Sequence, residues 1–301
     1  TLSSSSAASD VYKRQFIYCA AFAGKPPAVT PADVIIDEPW GVRAPDKYWE
    51  PKNFSNQFYG EVTIRKMLVQ SINVATARLL YEKVGIGWAI SVAKSIGIKS
   101  PLAPVPSLAL GSSEVNVLEI VSAYGVWANQ GVRAEPISIK YVLDREDNIL
   151  EENTPKVKRV LDRNVTYLIT NLMKGVINEG TGSKVRALGF RRPAAGKTGT
   201  TNDETDAWFI GFVPDLVAGV WVGFDDYSKS THRTGAGAAV PIWTDFMKNA
   251  VDGSVKDFPV PSGVVFREVD ADTGLPASEE STRVIREAFL ADTATEKKQG
   301  S

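Results

Sequence analysis

From Ala194 to Phe224 the chain leaves little choice of structure. A Gly-flanked Lys197-Thr198-Gly199-Thr200-Thr201 is followed by two apolar runs, Ala207 to Val213 and Leu216 to Phe224, with only a Pro214-Asp215 turn between them. Apolar runs split by so short a turn specify a hairpin, and the KTGTT segment reads as the strand before it. Three sequential antiparallel strands are therefore predicted. Lys197 brings a fixed positive charge to the end of the first of them, and Thr198, Thr200 and Thr201 bring hydroxyls that can orient a carboxylate. Gly196 and Gly199 leave the backbone bare, so an extended substrate can lie beside the strand edge and exchange main-chain hydrogen bonds with it. Lys197, Thr198, Gly199, Thr200 and Thr201 form the candidate substrate-binding strand.

The totals narrow the chemistry such a strand can serve. At 301 residues with 44% apolar content the chain has the makings of an ordinary globular core. Lys plus Arg (34) nearly balances Asp plus Glu (35), and no basic stripe appears, so no nucleic-acid partner is expected. One cysteine, Cys19, excludes an internal disulfide, and one histidine, His232, argues against a His-based metal site or a Ser-His-Asp triad. Serine chemistry here would need Lys as its base, and neither a metal nor a cofactor is expected. No apolar run is long enough to span a bilayer.

Read in order, residues 1–15 (TLSSSSAASDVYKRQ) are low-complexity and lack a buriable periodicity, which predicts a disordered or foreign leader. FIYCAAF, Phe16 to Phe22, then turns abruptly apolar, like a buried helix entered partway along. Gly24 to Lys52 is loop-like, with a short strand expected at Val34 to Ile36. Thr63 caps an apolar-periodic helix that stops at Ser71-Ile72-Asn73, before a second helix, Val74 to Val84, closed by Gly85. A junction of that kind can point two polar side chains into a cleft. The plain alternative is that Ser71 and Asn73 only cap the second helix. Asn116 and Glu119 have capping-box spacing at the start of a packing helix, Ile137 to Leu150 reads as an accessory hairpin, and Val160 to Val176 as a long helix. Thr181-Gly182-Ser183 reads as the turn into the KTGTT strand. Pro241 opens a helix whose apolar side can cover the sheet, Gly263 to Val269 reads as irregular, and the tail is polar.

K-T-G belongs with S-x-x-K and an S-D-N-type motif in penicillin-binding proteins and class A β-lactamases. Ser71-Ile72-Asn73 is the single S-x-N of the chain. Ser91-Val92-Ala93-Lys94 is the single S-x-x-K, but it falls mid-helix, away from the N-terminal N–H groups that would help a nucleophile, and reads as a decoy. Four stretches carry a more specific likeness: PKNFSNQFYGEVTIRKMLVQSINVATARL, LALGSSEVNVLEIVSAYGVWANQGV, GTGSKVRALGFRRPAAGKTGTTNDETDAWFIGFVPDLVAGVWVGFDD and TGAGAAVPIWTDFM. Together they resemble the transpeptidase domain of class A penicillin-binding proteins, the bifunctional cell-wall synthases, over nearly the whole chain.

That resemblance implies an α+β penicillin-binding/serine β-lactamase-like fold, a mostly antiparallel sheet flanked by helices. The domain would run over residues 16–288, with a polar tail at 289–301. It implies cross-linking of peptidoglycan stem peptides through a serine acyl-enzyme on the D-Ala-D-Ala donor, with β-lactams as trapping mimics. Residue by residue, Lys197 would supply positive potential to the substrate carboxylate and to Ser71, and Thr198 and Thr200 would hydrogen-bond that carboxylate. The Thr200 N–H would be one oxyanion donor. Ser71 would relay a proton, and Asn73 would hold the substrate amide. The implied location is the cell envelope on its periplasmic or extracytoplasmic face, in a parent anchored to the cytoplasmic membrane, among other cell-wall synthesis proteins.

The chain departs from the family where the family's S-x-x-K precedes the FIYCAAF-like helix. Here Ser9-Asp10-Val11-Tyr12-Lys13-Arg14-Gln15 stands, with no Ser three residues before a Lys. The expectation is a transpeptidase domain incomplete at its N-terminus, without nucleophile or base lysine, and catalytically inert as it stands. Its rivals are a non-catalytic stem-peptide-binding module or scaffold, and a serine β-lactamase. The E-x-x-x-N spacing of a common deacylating Glu occurs nowhere in the sequence.

Overall fold

The computed structural model describes residues 10–24, 27, 29–44, 48–201, 205–224 and 229–293. Helix α1 (Asp10–Ala23) carries the FIYCAAF run, and every residue from Phe16 to Phe22 is buried. The helix begins ahead of that run, at Asp10, within the stretch expected as a disordered or foreign leader; residues 1–9 lie outside the described residues. DVYKRQ contains no Gly or Pro, and extending a packed helix costs far less than nucleating one.

Strands β1 (Val34–Asp37), β2 (Val42–Arg43), β3 (Tyr48–Trp49) and β4 (Gly60–Thr63) form two small antiparallel pairs, β1 with β4 and β2 with β3. From β4 the chain enters α2 (Ile64–Val69), where the Thr63 hydroxyl accepts the Lys66 N–H at 3.2 Å, as the capping pattern predicts. The second helix is shorter than expected. Helix α3 (Asn73–Arg78) passes at Leu79–Val84 into a wider π turn that ends at Gly85. Helix α4 (Ile86–Ser95) follows, then a single tight turn at Pro106–Leu110, then α5 (Val117–Ala128). The Asn116 side chain caps α5 by accepting the Glu119 N–H at 2.9 Å. Glu119 does not complete a reciprocal box; its carboxylate accepts from the Ser100 hydroxyl at 2.7 Å.

The accessory region is a long ribbon. Strand β5 (Val132–Ala134) pairs with β8 (Val157–Arg159), and β6 (Tyr141–Leu143) with β7 (Ile149–Glu152). Helix α6 (Arg163–Asn178) starts at Asp162, whose carboxylate accepts the Asn164 N–H at 2.7 Å, and is followed by the short α7 (Lys184–Ala187).

The central sheet has the order β11-β10-β9, all antiparallel, from β9 (Ala195–Thr200), β10 (Asp206–Val213) and β11 (Leu216–Gly223). Alternation along β10 divides the core. Trp208, Ile210 and Phe212 join the large cluster with α1, α5 and α6, while Phe209 and Val213 join a second cluster under α8 (Ala239–Ala250). Trp243 of α8 is fully buried against Phe209, ring centroids 5.0 Å apart. An antiparallel sheet flanked by helices is thus what the chain forms. Beyond α8 the structure corrects the expectation of an irregular segment. Val264–Asp270 is strand β12, paired along its whole length with β13 (Val284–Leu290).

The β12–β13 ribbon is bolted to α2 and α6. Arg65 of α2 donates to both carboxylate oxygens of Glu287, with Nη2 to Oε1 at 2.6 Å, and also to Asn171 of α6. Glu287 is 1% exposed, and its Oε1 also accepts the Ala288 N–H at 2.9 Å. Burial works against the Arg65 charge, and the adjoining Glu287 carboxylate outweighs it, so the Arg65 pKa is raised.

Candidate active site

Lys197 stands on β9, the outer strand of the sheet, in register with Ile210 of β10. Cross-strand partners share a face, so Lys197 rises on the side of the large core, and it is fully buried there. Its Nζ donates to Ser71 Oγ at 2.8 Å and to the Thr198 carbonyl at 2.9 Å. The fold therefore joins two of the expected site residues that lie 126 positions apart.

Ser71 occupies the link between α2 and α3. Its N–H bonds to the Leu68 carbonyl at 3.3 Å and the Ile72 N–H to the Met67 carbonyl at 2.9 Å, which closes α2. At φ 62° Ser71 adopts the left-handed backbone that such closures usually give to Gly. A non-Gly residue in that region costs about 1–2 kcal/mol, and strain of this kind gathers at functional sites. Asn73 is the first residue of α3, and its amide donates to the Lys52 carbonyl at 2.8 Å. Tyr18 of α1 bonds to the Thr76 hydroxyl at 2.8 Å, which ties α1 to the helix carrying Asn73.

The threonines of the strand divide. Thr198 Oγ1 lies 2.6 Å from Thr181 Oγ1, so the turn after α6 orients the Thr198 hydroxyl. Thr200 Oγ1 accepts the Gly235 N–H at 3.1 Å, which leaves its hydroxyl proton to donate. Thr201, also in the expected substrate-binding set, has its hydroxyl engaged in the strand connection. Its hydroxyl accepts the Asp206 N–H at 2.8 Å and meets Thr205 Oγ1 at 2.7 Å, so it closes the connection to β10. Gly199 pairs with Trp208 and is itself buried, with Gly235 packed against its backbone. Gly196 serves packing rather than access: a Cβ there would stand 2.8 Å from the Ile210 carbonyl oxygen and 2.9 Å from Phe209.

Two contributors carry no motif of their own. Thr181 reads in the sequence only as part of a turn, although its G-T-G context beside the strand is a visible signal. Gly235 lies so close to the strand that a Cβ would approach the Gly199 carbonyl oxygen to 2.5 Å. Ser91 is exposed on α4 and donates to the Gly87 carbonyl at 3.0 Å, and His232 is exposed. Trp208 and Trp243 are core residues, while Trp221 is half-buried and donates to Asp206 at 2.7 Å. Tyr48 and Phe54 are exposed. Among the described residues no His, Cys, Asp and Glu cluster suited to a metal ion occurs.

A lysine buried on a threonine-lined edge strand thus touches the serine of an S-x-N turn, and both stand on an α+β scaffold. The sequence pattern of the family described as "Penicillin binding protein transpeptidase domain" matches residues 17–248, and the chain belongs to that family. It is similar to penicillin-binding protein 1A of Aquifex aeolicus, 44% identical over 201 residues, a match covering 66% of this chain and 27% of the relative. Penicillin-binding protein 1A of Neisseria meningitidis is 36% identical over 266 residues, covering 84% of this chain and 32% of the relative. The chain thus spans about a third or less of the curated relatives it matches. The crystal structure of penicillin-binding protein 1A from Haemophilus influenzae superposes with a TM-score of 0.85 at 27% identity, over 95% of this chain and 48% of that one. PonA1 of Mycobacterium tuberculosis, at 20% identity and a TM-score of 0.73, shares the fold.

Proposed function

We propose that this domain recognises the D-Ala-D-Ala end of peptidoglycan stem peptides in the cleft between the S-x-N turn and β9. Its place is the extracytoplasmic face of the cell envelope, in the family's cross-linking reaction. The observation that carries the reading is the 2.8 Å contact between Lys197 Nζ and Ser71 Oγ at the foot of the KTG strand. The donor peptide lies antiparallel along β9, where alternate backbone groups of the edge take its main chain. Its terminal carboxylate meets the Thr198 and Thr200 hydroxyls in the positive potential of Lys197, and the Thr200 N–H points at the scissile carbonyl oxygen. In a chain with a Ser-x-x-Lys just before the FIYCAAF run, the serine attacks that carbonyl and D-Ala leaves, taking a proton through Ser71. An amine from a second stem peptide then attacks the ester and releases the serine. β-Lactams take the donor's place.

This chain has Ser9-Asp10-Val11-Tyr12-Lys13-Arg14-Gln15 there, with no Ser three residues before a Lys, so it binds the donor without acylating. The test is a titration with diacetyl-L-Lys-D-Ala-D-Ala followed by amide NMR, beside incubation with a fluorescent penicillin. Reversible shifts at β9, weakened about tenfold in Lys197→Ala, are expected, because a charge-assisted hydrogen bond contributes about 1.5 kcal/mol or more. No covalent label is expected. Covalent labelling would refute the inert assignment, and a folded chain that ignores the peptide would refute recognition.

A further inference from the structure

Helix α3, which carries Asn73, lacks a cap of its own. Its N-cap residue is Ile72, which has no side-chain oxygen, yet the first N–H groups of any helix need acceptors. They are met from elsewhere in the fold. Asn53 Oδ1 accepts the Asn73 N–H at 2.8 Å and the Val74 N–H at 3.1 Å, and Asp37 Oδ1 accepts the Ala75 N–H at 3.2 Å. The two capping residues are tied to each other, Asn53 Nδ2 donating to Asp37 Oδ2 at 2.7 Å. Asp37 Oδ2 also accepts the Tyr59 N–H at 2.9 Å, and Asn53 Nδ2 also reaches the Gln57 carbonyl at 2.8 Å. Asp37 is fully buried and Asn53 is 5% exposed, so this network is part of the interior and unscreened.

The position of this network matters more than its strength. Ser71 stands two residues before the capped N–H groups, in a left-handed conformation that its own side chain disfavours. On one side the closure of α2 holds it. On the other, the attachment of α3 fixes where the chain must go next. We propose that Asn53 and Asp37 are positioning residues of the site, holding the strained Ser71-Ile72-Asn73 turn so that Ser71 Oγ stays within reach of Lys197 Nζ. The carboxylate of Asp37 suits the task because a buried anion at a helix start is stabilised by the helix dipole and by donated N–H groups together. Asn53 suits it because one amide both accepts from the helix and donates to the anion. This inference rests on reading Ser71 and Lys197 as the site, and its test uses no ligand, so failure of peptide recognition and failure of the positioning role are separable.

The test is NMR on the full chain. In the unmodified protein the Asn73, Val74 and Ala75 amides should exchange at least a hundredfold more slowly than in an open chain; open-chain rates would overturn the proposal. The Lys197 side-chain nitrogen signal, assigned by its loss in Lys197→Met, reports the contact with Ser71. Asn53→Ala should speed exchange at Asn73 and Val74 about tenfold or more and shift the Lys197 signal, while amides of β10 keep their protection. Equal acceleration in β10, or an unmoved Lys197 signal, would reduce Asn53 to general stability and overturn the role. Asn53→Asp sets two carboxylates together and should shift the Lys197 signal as well.

Discussion

Replacing Arg65 by Met, while Glu287 remains, tests the bolt between α2, α6 and the β12–β13 ribbon. In the native chain the Glu287 carboxylate takes two bonds from Arg65 and one from the Ala288 N–H, at 1% exposure. Among the described residues, Arg65→Met leaves it the backbone donor alone. An anion stranded in that way costs about 3–5 kcal/mol, against total stabilities of about 5–15 kcal/mol for folded domains. In a domain of this size each kcal/mol moves the melting point by about 2–4 °C, so a fall of roughly 10 °C is expected. The pair itself is a different quantity. Its gross attraction is offset by the desolvation of both ions, so Arg65→Met with Glu287→Met should fold within about 1 kcal/mol of the parent. Urea unfolding at pH 7, followed by tryptophan fluorescence on all four members of the cycle, gives the coupling directly. A single-variant cost below about 1 kcal/mol, or a double variant as unstable as the sum of its parts, would refute the reasoning.

Gln15, buried on α1 with neither amide atom hydrogen-bonded, predicts that Gln15→Leu raises stability by about 1–3 kcal/mol; a lower melting point would contradict it. Burial pushes the Cys19 thiol up to about 12, so iodoacetamide at pH 8 should leave the native protein unmodified and label it fully in denaturant. Mass spectrometry decides, and labelling of the folded chain at the rate of a free thiol would refute the burial argument. The Asp270 carboxyl is held below its ordinary value of 3.8 chiefly by the Thr273 N–H, against opposing burial and with help from the Asp272 N–H and the Thr273 hydroxyl. Its contribution to stability is therefore complete above the ordinary value and is lost as pH falls through the lower folded one. Melting curves from pH 5 to pH 2 should show a slope that Asp270→Asn reduces; an equal slope in that variant would exclude Asp270 as a source.

The parts of the fold legible in the sequence are those built from neighbours. Strands β9 to β11 announce themselves because each pairs with the next, and the Thr63, Asn116 and Gly85 signals act within one turn of their own helices. Strand β12 escapes notice because its sequence, VVFREVD, puts three apolar residues before two charged ones and lacks the strict alternation of a half-buried strand, and its partner arrives only after a connection of irregular chain. The buried carboxylate of Glu287 is invisible for the same reason, since a Glu in a polar segment betrays its burial only through a distant Arg. At the site, Ser71, Asn73, Lys197 and Thr198 are marked by motif, while Thr181, Asp37 and Asn53 act through contacts that no local pattern encodes. The part Thr201 takes in closing the connection to β10 is not legible either, because a hydroxyl facing a ligand and one closing a turn look alike in a string of letters.

The bond between Arg65 and Glu287 joins residues 222 positions apart, so the helix leading into Ser71 is secured by almost the last strand of the domain. A chain emerging from its N-terminus exposes α2 long before its carboxylate exists. Through that interval the guanidinium keeps its water, and α2 gains nothing by burying it. The tie between α2 and β13 can thus form only after residue 287 has been made. A product that stops short of residue 287 has all the site motifs of this chain without the clamp that brings them to order.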